Sequence, residues 1–182
     1  PETYKKLFNY GVKPQMLFAD PPYGVNERTM RKSAGRGKLA ECNDFPPIIG
    51  DDKQFDPAFL LSLPISLKIL WGANYYANKL PTTSSWLVWD KRDGISSNDN
   101  ADCELAWTNA GGPARLFAHL WNGAIKASEH GEKRTHPTQK PIKLAEFCYE
   151  RYGKENDVIY DPFLGSGMSL MAAENMGDRV VI

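Results

Sequence analysis

Short apolar runs broken by proline and glycine alternate along this chain with stretches of helical period. Gln15 to Ala19 is a short apolar run ended by Asp20-Pro21-Pro22, which predicts a strand leading into a loop that cannot be helical. Residues 24–50 carry glycine, proline and charge without periodicity and read as a long surface loop. A loop of that length is usually functional or disordered. Phe55 to Leu63 reads as a helix closed by Pro64, Leu67 to Trp71 as a strand and Tyr75 to Leu80 as a short helix. Trp86 to Trp89, Glu104 to Trp107 and Ala114 to Trp121 read as further strands.

From Pro141 the period changes. A proline at a first helical turn is followed by Ile142, Ala145, Cys148, Tyr149 and Tyr152 at helical spacing, and then by Gly153. These are the two end signals of an amphipathic helix. Val158 to Tyr160 reads as a buried strand, Met168 to Met176 as a helix stopped by Gly177, and Val180 to Ile182 as the start of one more strand. Strands alternating with helices predict an α/β protein with a largely parallel sheet.

Composition adds bounds. The 182 residues suit one domain, and the 42% hydrophobic content is that of an ordinary globular protein. With 22 basic and 22 acidic residues, net charge gives no argument for a nucleic-acid partner. Cys42, Cys103 and Cys148 are odd in number and widely spaced, which fits a reducing cytoplasm better than a disulfide framework or a zinc site. His119, His130 and His136 share no helical face and lack an acidic partner at ligand spacing, so no metal is expected. No run approaches membrane-spanning length. The first residue is not Met and the last three look like strand, so the chain reads as a fragment cut at both ends.

Three segments carry candidate chemistry. In Asp20-Pro21-Pro22-Tyr23 a carboxylate and the Pro21 carbonyl can accept the two protons of an exocyclic amino group. Such an amino group is a poor nucleophile until its lone pair is turned out of the ring. The prolines hold the acceptors in place, and Tyr23 offers a face for a base. In Asp161-Pro162-Phe163-Leu164-Gly165-Ser166-Gly167 the glycines allow a tight strand-to-helix turn and close backbone approach to a ligand. It lacks the third glycine of a dinucleotide fingerprint and the Gly-Lys-Ser/Thr ending of a phosphate loop. A carboxylate at the strand end suits a ligand with an ammonium group, and Phe163 could pack against an adenine ring. In His136-Pro137-Thr138-Gln139-Lys140-Pro141, Lys140 could meet a carboxylate and Thr138 could cap the helix. Each segment taken alone is also compatible with a plain turn or helix cap.

Together, and in this order, the three segments resemble the beta-type amino-methyltransferases of DNA, in which the catalytic motif precedes the cofactor motif. Trp71-Gly72-Ala73-Asn74-Tyr75 and Trp86-Leu87-Val88-Trp89-Asp90-Lys91 resemble strand segments of compact phage-type members. The resemblance implies a Rossmann-like S-adenosylmethionine-dependent methyltransferase fold. Its sheet would be seven-stranded and mostly parallel with helices on both faces, and circularly permuted. It implies that Asp161, Pro162, Phe163, Gly165, Ser166 and Gly167 line the S-adenosylmethionine pocket. Thr138, Lys140 and Pro141 would approach the methionine end of that cofactor. Asp20, Pro21, Pro22 and Tyr23 would hold a flipped base against its methyl group. Aspartate rather than serine at the first motif position resembles enzymes acting on adenine N6. The family's cofactor-ribose acid would fall just beyond Ile182.

Double-stranded DNA is the implied partner, with a homodimer open and no membrane. A bacterial or phage-encoded cytoplasmic enzyme, of the restriction–modification kind, is expected. Arg28, Arg31, Lys32, Arg36 and Lys38 give the loop after the catalytic motif a local basic excess and are expected to grip phosphates. Residues 92–135 are the expected target-recognition segment, with Trp121 as its exposed aromatic. The competing readings are a cytosine-N4, RNA or protein-glutamine methyltransferase, and a non-catalytic nucleic-acid-binding subunit of the same fold.

Overall fold

The computed structural model describes residues 2–26, 45–95, 101–122, 125–131, 136 and 138–182. Among these a seven-stranded sheet forms the centre. It is built from β1 (Met16–Ala19), β2 (Leu67–Trp71), β3 (Trp86–Asp90), β4 (Cys103–Thr108), β5 (Arg115–Ala118), β8 (Val158–Tyr160) and β9 (Val180–Val181). Their spatial order is β5-β3-β4-β2-β1-β8-β9. All neighbours run parallel except at β4, which lies antiparallel to both β2 and β3. A small hairpin pairs β6 (Trp121–Asn122) with β7 (Ile125–Lys126).

The strand period of two divides the core. Met16 and Phe18 of β1 point into one cluster, and Leu17 and Ala19 into the other. Burying both faces is what makes β1 a continuous apolar run. On the first face pack α3 (Ile142–Tyr152), through Leu144, Ala145, Cys148 and Tyr149, and α4 (Met168–Met176), through Met168, Ala172 and Ala173. The Tyr149 ring meets Phe18 edge-on at 5.6 Å. On the second face pack α2 (Ala58–Ser62) and the 3₁₀ helix Ala73–Lys79, with α1 (Glu2–Asn9) laid against them through Tyr4, Leu7 and Phe8. No described helix is long and apolar enough to cross a membrane.

Several boundaries move from the sequence expectation. The helix expected from Phe55 begins only at Ala58, because Pro57 disfavours the α region for Asp56 and the Asp56 carboxylate accepts the Ala58 amide at 3.0 Å. The strand expected over 114–121 ends at Ala118. There His119 and Trp121 donate their amides to Asp90 and Lys91, both at 3.0 Å, and turn the chain into the hairpin. Within the segment 92–135, β4 and β5 are strands of the main sheet.

Candidate active site

β1 and β8 are neighbours, with Leu17 opposite Tyr160. The chain leaves them toward opposite sides of the sheet, β1 toward β2 and β8 toward β9. This is a topological switch point, where open α/β sheets form a crevice at the carboxyl ends of their strands. Asp20 follows β1 and Asp161 follows β8 at that crevice. A cleft of about 660 Å³ opens there. Asp20, Pro21, Pro22, Tyr23, Thr138, Lys140, Asp161, Phe163, Gly165 and Ser166 all line it. Pro141, Pro162 and Gly167 do not line it and instead shape the adjoining turns: Pro141 precedes α3, and Gly167 caps α4 with φ +83°. Arg28, Arg31, Lys32, Arg36 and Lys38 lie outside the described residues.

Asp20 is held from both sides. Lys140 Nζ donates to its Oδ2 at 2.5 Å, and the Tyr23 hydroxyl donates to its Oδ1 at 2.7 Å. Lys140 also donates to the Tyr23 oxygen at 2.8 Å and lies 3.3 Å from Oε2 of Glu104, whose Oε1 is paired with Lys91 at 3.1 Å. Two carboxylates and two ammonium groups thus alternate through the floor of the cleft. Burial would lower the Lys140 pKa, but Asp20 and Glu104 outweigh it and hold it above the ordinary lysine value. Burial would raise Glu104, and Lys140 and Lys91 outweigh that and hold it below the usual carboxylate range. Burial, followed by the charges of Asp20 and Glu104, pushes the Tyr23 phenol well above its ordinary value, so it remains a donor.

The loop from Asp20 to Asn26 is braced by contacts that only certain residues permit. The Tyr23 ring stacks on Tyr75 with centroids 4.9 Å apart and planes 14° from parallel. It passes so close to Gly72 that a Cβ built there would lie 1.8 Å from Tyr23 Cε1. Gly72 also holds φ at +66°, which a side chain disfavours. Further along, the Asp51 carboxylate accepts the Gly24 and Val25 amides at 2.8 and 3.3 Å.

The second motif makes its own turn. Asp161 Oδ1 accepts the Phe163 amide at 2.9 Å, and Oδ2 accepts the Ser169 hydroxyl at 2.5 Å, which ties strand end to helix start. Burial lifts the Asp161 carboxyl to about 6, against the pull of those two hydrogen bonds and with a further rise from Asp20. Gly165 and Gly167 both have positive φ. At Gly165, which lines the cleft, a Cβ would meet only the Phe163 carbonyl oxygen, at 3.7 Å, so the turn presents bare backbone to the cleft, as a ligand cradle requires. Thr138 is turned onto His136, its hydroxyl 3.1 Å from Nδ1.

Trp121 corrects an expectation. It is 5% exposed, belongs to the core, and donates its indole N–H to the Gln139 carbonyl at 3.0 Å. Sequence reasoning also passed over Glu104, Lys91, Tyr75 and Asp51, all of which line the cleft. Lys91 and Tyr75 fall within segments noted only as strand-like, while Glu104 and Asp51 had no motif to mark them.

Comparison with known proteins gives the arrangement a lineage. The family model for N6/N4 DNA methylases matches residues 78–182. The type II methyltransferase M2.DpnII of Streptococcus pneumoniae is 37% identical over 221 residues, spanning 99% of this chain and 81% of that protein. The type II methyltransferase M2.LlaDCHI of Lactococcus lactis subsp. cremoris is 23% identical, spanning 93% of this chain and 78% of that protein. Among solved structures, the M1.HpyAVI–SAM complex is similar with a TM-score of 0.54 at 22% identity, over 99% of this chain and 87% of that one. The cytosine-N4-specific PvuII DNA methyltransferase is similar with a TM-score of 0.57 at 15% identity, over 93% and 74%. At those identities the two structures speak to the fold alone.

Proposed function

Because this chain belongs to the DNA methylase family of N6/N4 methyltransferases, we propose that it methylates N6 of an adenine flipped out of a short DNA site. It is an S-adenosylmethionine-dependent DNA methyltransferase. The observation that carries methylation of an amino group is the meeting of Asp20 and the glycine turn in one cleft at the sheet's switch point, and the choice of adenine rests on aspartate at position 20. Its two type II relatives support a modification role in a restriction–modification system.

The residues present fit the cofactor. The cleft has the size of sites that enclose ligands of that bulk, and the positive-φ glycines leave the turn open beside a carboxylate and an aromatic ring. Asp161, Phe163, Gly165 and Ser166 would hold it, with Pro162 and Gly167 shaping the turn. Thr138 and Lys140 would approach its methionine end, with Pro141 starting the helix behind them. When bound, S-adenosylmethionine supplies an electrophilic methyl group on a sulfonium.

The chain's own residues prepare the acceptor. An extruded base would donate hydrogen bonds from its amino group to the Asp20 carboxylate and the Pro21 carbonyl, which turns the nitrogen lone pair out of the ring. Oδ1 of Asp20 now accepts from Tyr23, so the arriving amino group takes over a position already shaped for a donor. Lys140 keeps Oδ2 in place and orients the carboxylate throughout. Tyr23 supplies a stacking face worth about 1–3 kcal/mol. The reading gives phosphate contacts to Arg28, Arg31, Lys32, Arg36 and Lys38, and base readout to parts of 92–135 outside the main sheet.

Asp20→Ala tests the reading. Methyl transfer to DNA should fall about a hundredfold or more while DNA binding persists. Unchanged transfer would remove Asp20 from the chemistry, and no transfer by the wild type would favour a silent binding subunit.

A further inference from the structure

One apolar side chain at the cleft mouth has no part in the reading above. Ile49 lines the cleft yet is 96% exposed, the most exposed large hydrophobic among the described residues. Val25, Tyr75 and Leu164 also line the cleft, but each is more than half covered. Ile49 stands at the tip of a stiff turn. Pro46 and Pro47 fix φ on the arm leading up to it. The Asp51 amide closes the turn onto the Ile48 carbonyl at 3.3 Å, and Gly50 takes φ +85°.

The descending arm is fastened to the loop that carries Asp20. The Asp51 carboxylate accepts the Gly24 and Val25 amides, and the Asp51 carbonyl accepts the Asn26 amide at 2.9 Å. Gly50 packs by Pro22, whose Cγ would lie 3.6 Å from a Cβ at that position. The sequence thus spends a braced turn on holding an isoleucine in water, where it gains nothing.

We propose that Ile49 is a wedge that enters the gap left in the double helix by the extruded base and slows its return. The inference rests on base extrusion as read above. Extrusion opens an apolar gap in the base stack, and rigid aliphatic side chains fill such gaps in DNA that proteins distort. With Asp20 on the floor and Ile49 on the rim of one cleft, a base on the floor places its vacated position beside the rim.

The test uses duplexes carrying the site mapped from methylated DNA, one fully paired and one with an abasic residue opposite the target. On the paired duplex Ile49→Ala should lower kcat/KM about tenfold, while Ile49→Leu stays near wild type. On the abasic duplex, where no pairing resists extrusion, Ile49→Ala should come within about twofold of wild type. An equal loss on both duplexes, or none on the paired one, overturns the proposal. Wild type is also bound to a duplex with 2-aminopurine at the target adenine, whose fluorescence rises on extrusion. Without that rise extrusion fails and the wedge with it. A rise in wild type matched by Ile49→Ala refutes the wedge alone.

Discussion

Replacing Gly72 by alanine should break the support of Tyr23, and the size of the effect follows from the geometry. The new methyl would fall 1.8 Å from Cε1, 2.3 Å from Cδ1 and 2.4 Å from Cζ of Tyr23, far inside contact distance. The residue must also keep φ at +66°, which costs a side chain about 1 kcal/mol. The clash is relieved only if the ring moves. A moved ring gives up its stack on Tyr75, worth about 0.5–1.5 kcal/mol. It also gives up its hydrogen bond to the Asp20 carboxylate, worth about 1.5–3 kcal/mol. The total is about 3–5 kcal/mol, or roughly 10–15 °C in Tm for a chain of this length. Urea unfolding of wild type, Gly72→Ala, Tyr23→Ala and the double variant closes a double-mutant cycle. With the ring already gone, Gly72→Ala should cost only the backbone strain of about 1 kcal/mol, leaving a coupling of about 2 kcal/mol or more. An equal cost in both backgrounds would refute the reasoning, because the glycine would then be required for something other than Tyr23.

Two further outcomes follow from the burial of Asp161 and Trp121. Burial lifts the Asp161 carboxyl from 3.8 to about 6, so between those values the folded state keeps a proton that the unfolded state has lost. Stability therefore falls as pH rises through that window, and the penalty, of order 3 kcal/mol, is complete above it. Asp161→Asn cannot ionise, so its stability relative to wild type should improve from about pH 4 to about pH 7 in urea titrations. A gap that does not change with pH would contradict this. Trp121→Ala removes a buried indole from the core and should cost about 3–5 kcal/mol. A variant with unchanged Tm and weakened DNA binding would return Trp121 to the DNA-contacting role that its sequence position suggested.

The sheet and the two motif-bearing strand ends were legible because their signals are local. Proline ends the strand at Asp20, glycines mark the turn after Asp161, and the apolar period changes where the sheet gives way to α3 and α4. The helix α1 had its signal too, in the spacing of Tyr4, Leu7 and Phe8, but the run is too short to stand out before its partner Phe59 is known. Glu104 was out of reach for a different reason. In a parallel sheet the last residues of each strand meet the site. β4 is antiparallel, so it brings its first residues there instead, with Glu104 opposite Trp89. Strand direction is a property of the whole sheet and leaves no mark in six residues. Asp51 is hidden likewise, because its partners Gly24 and Val25 lie 27 and 26 positions away in sequence. Trp121 was misplaced because a tryptophan among basic residues looks like a DNA contact until the core it fills is seen.

Methyl transfer to adenine N6 is decided by mass spectrometry of nucleosides. Unmethylated DNA would be incubated with the protein and isotopically labelled S-adenosylmethionine, then digested. Label is expected in N6-methyladenine and is lost with Asp20→Ala. Label in N4-methylcytosine instead would contradict the assignment drawn from aspartate at position 20.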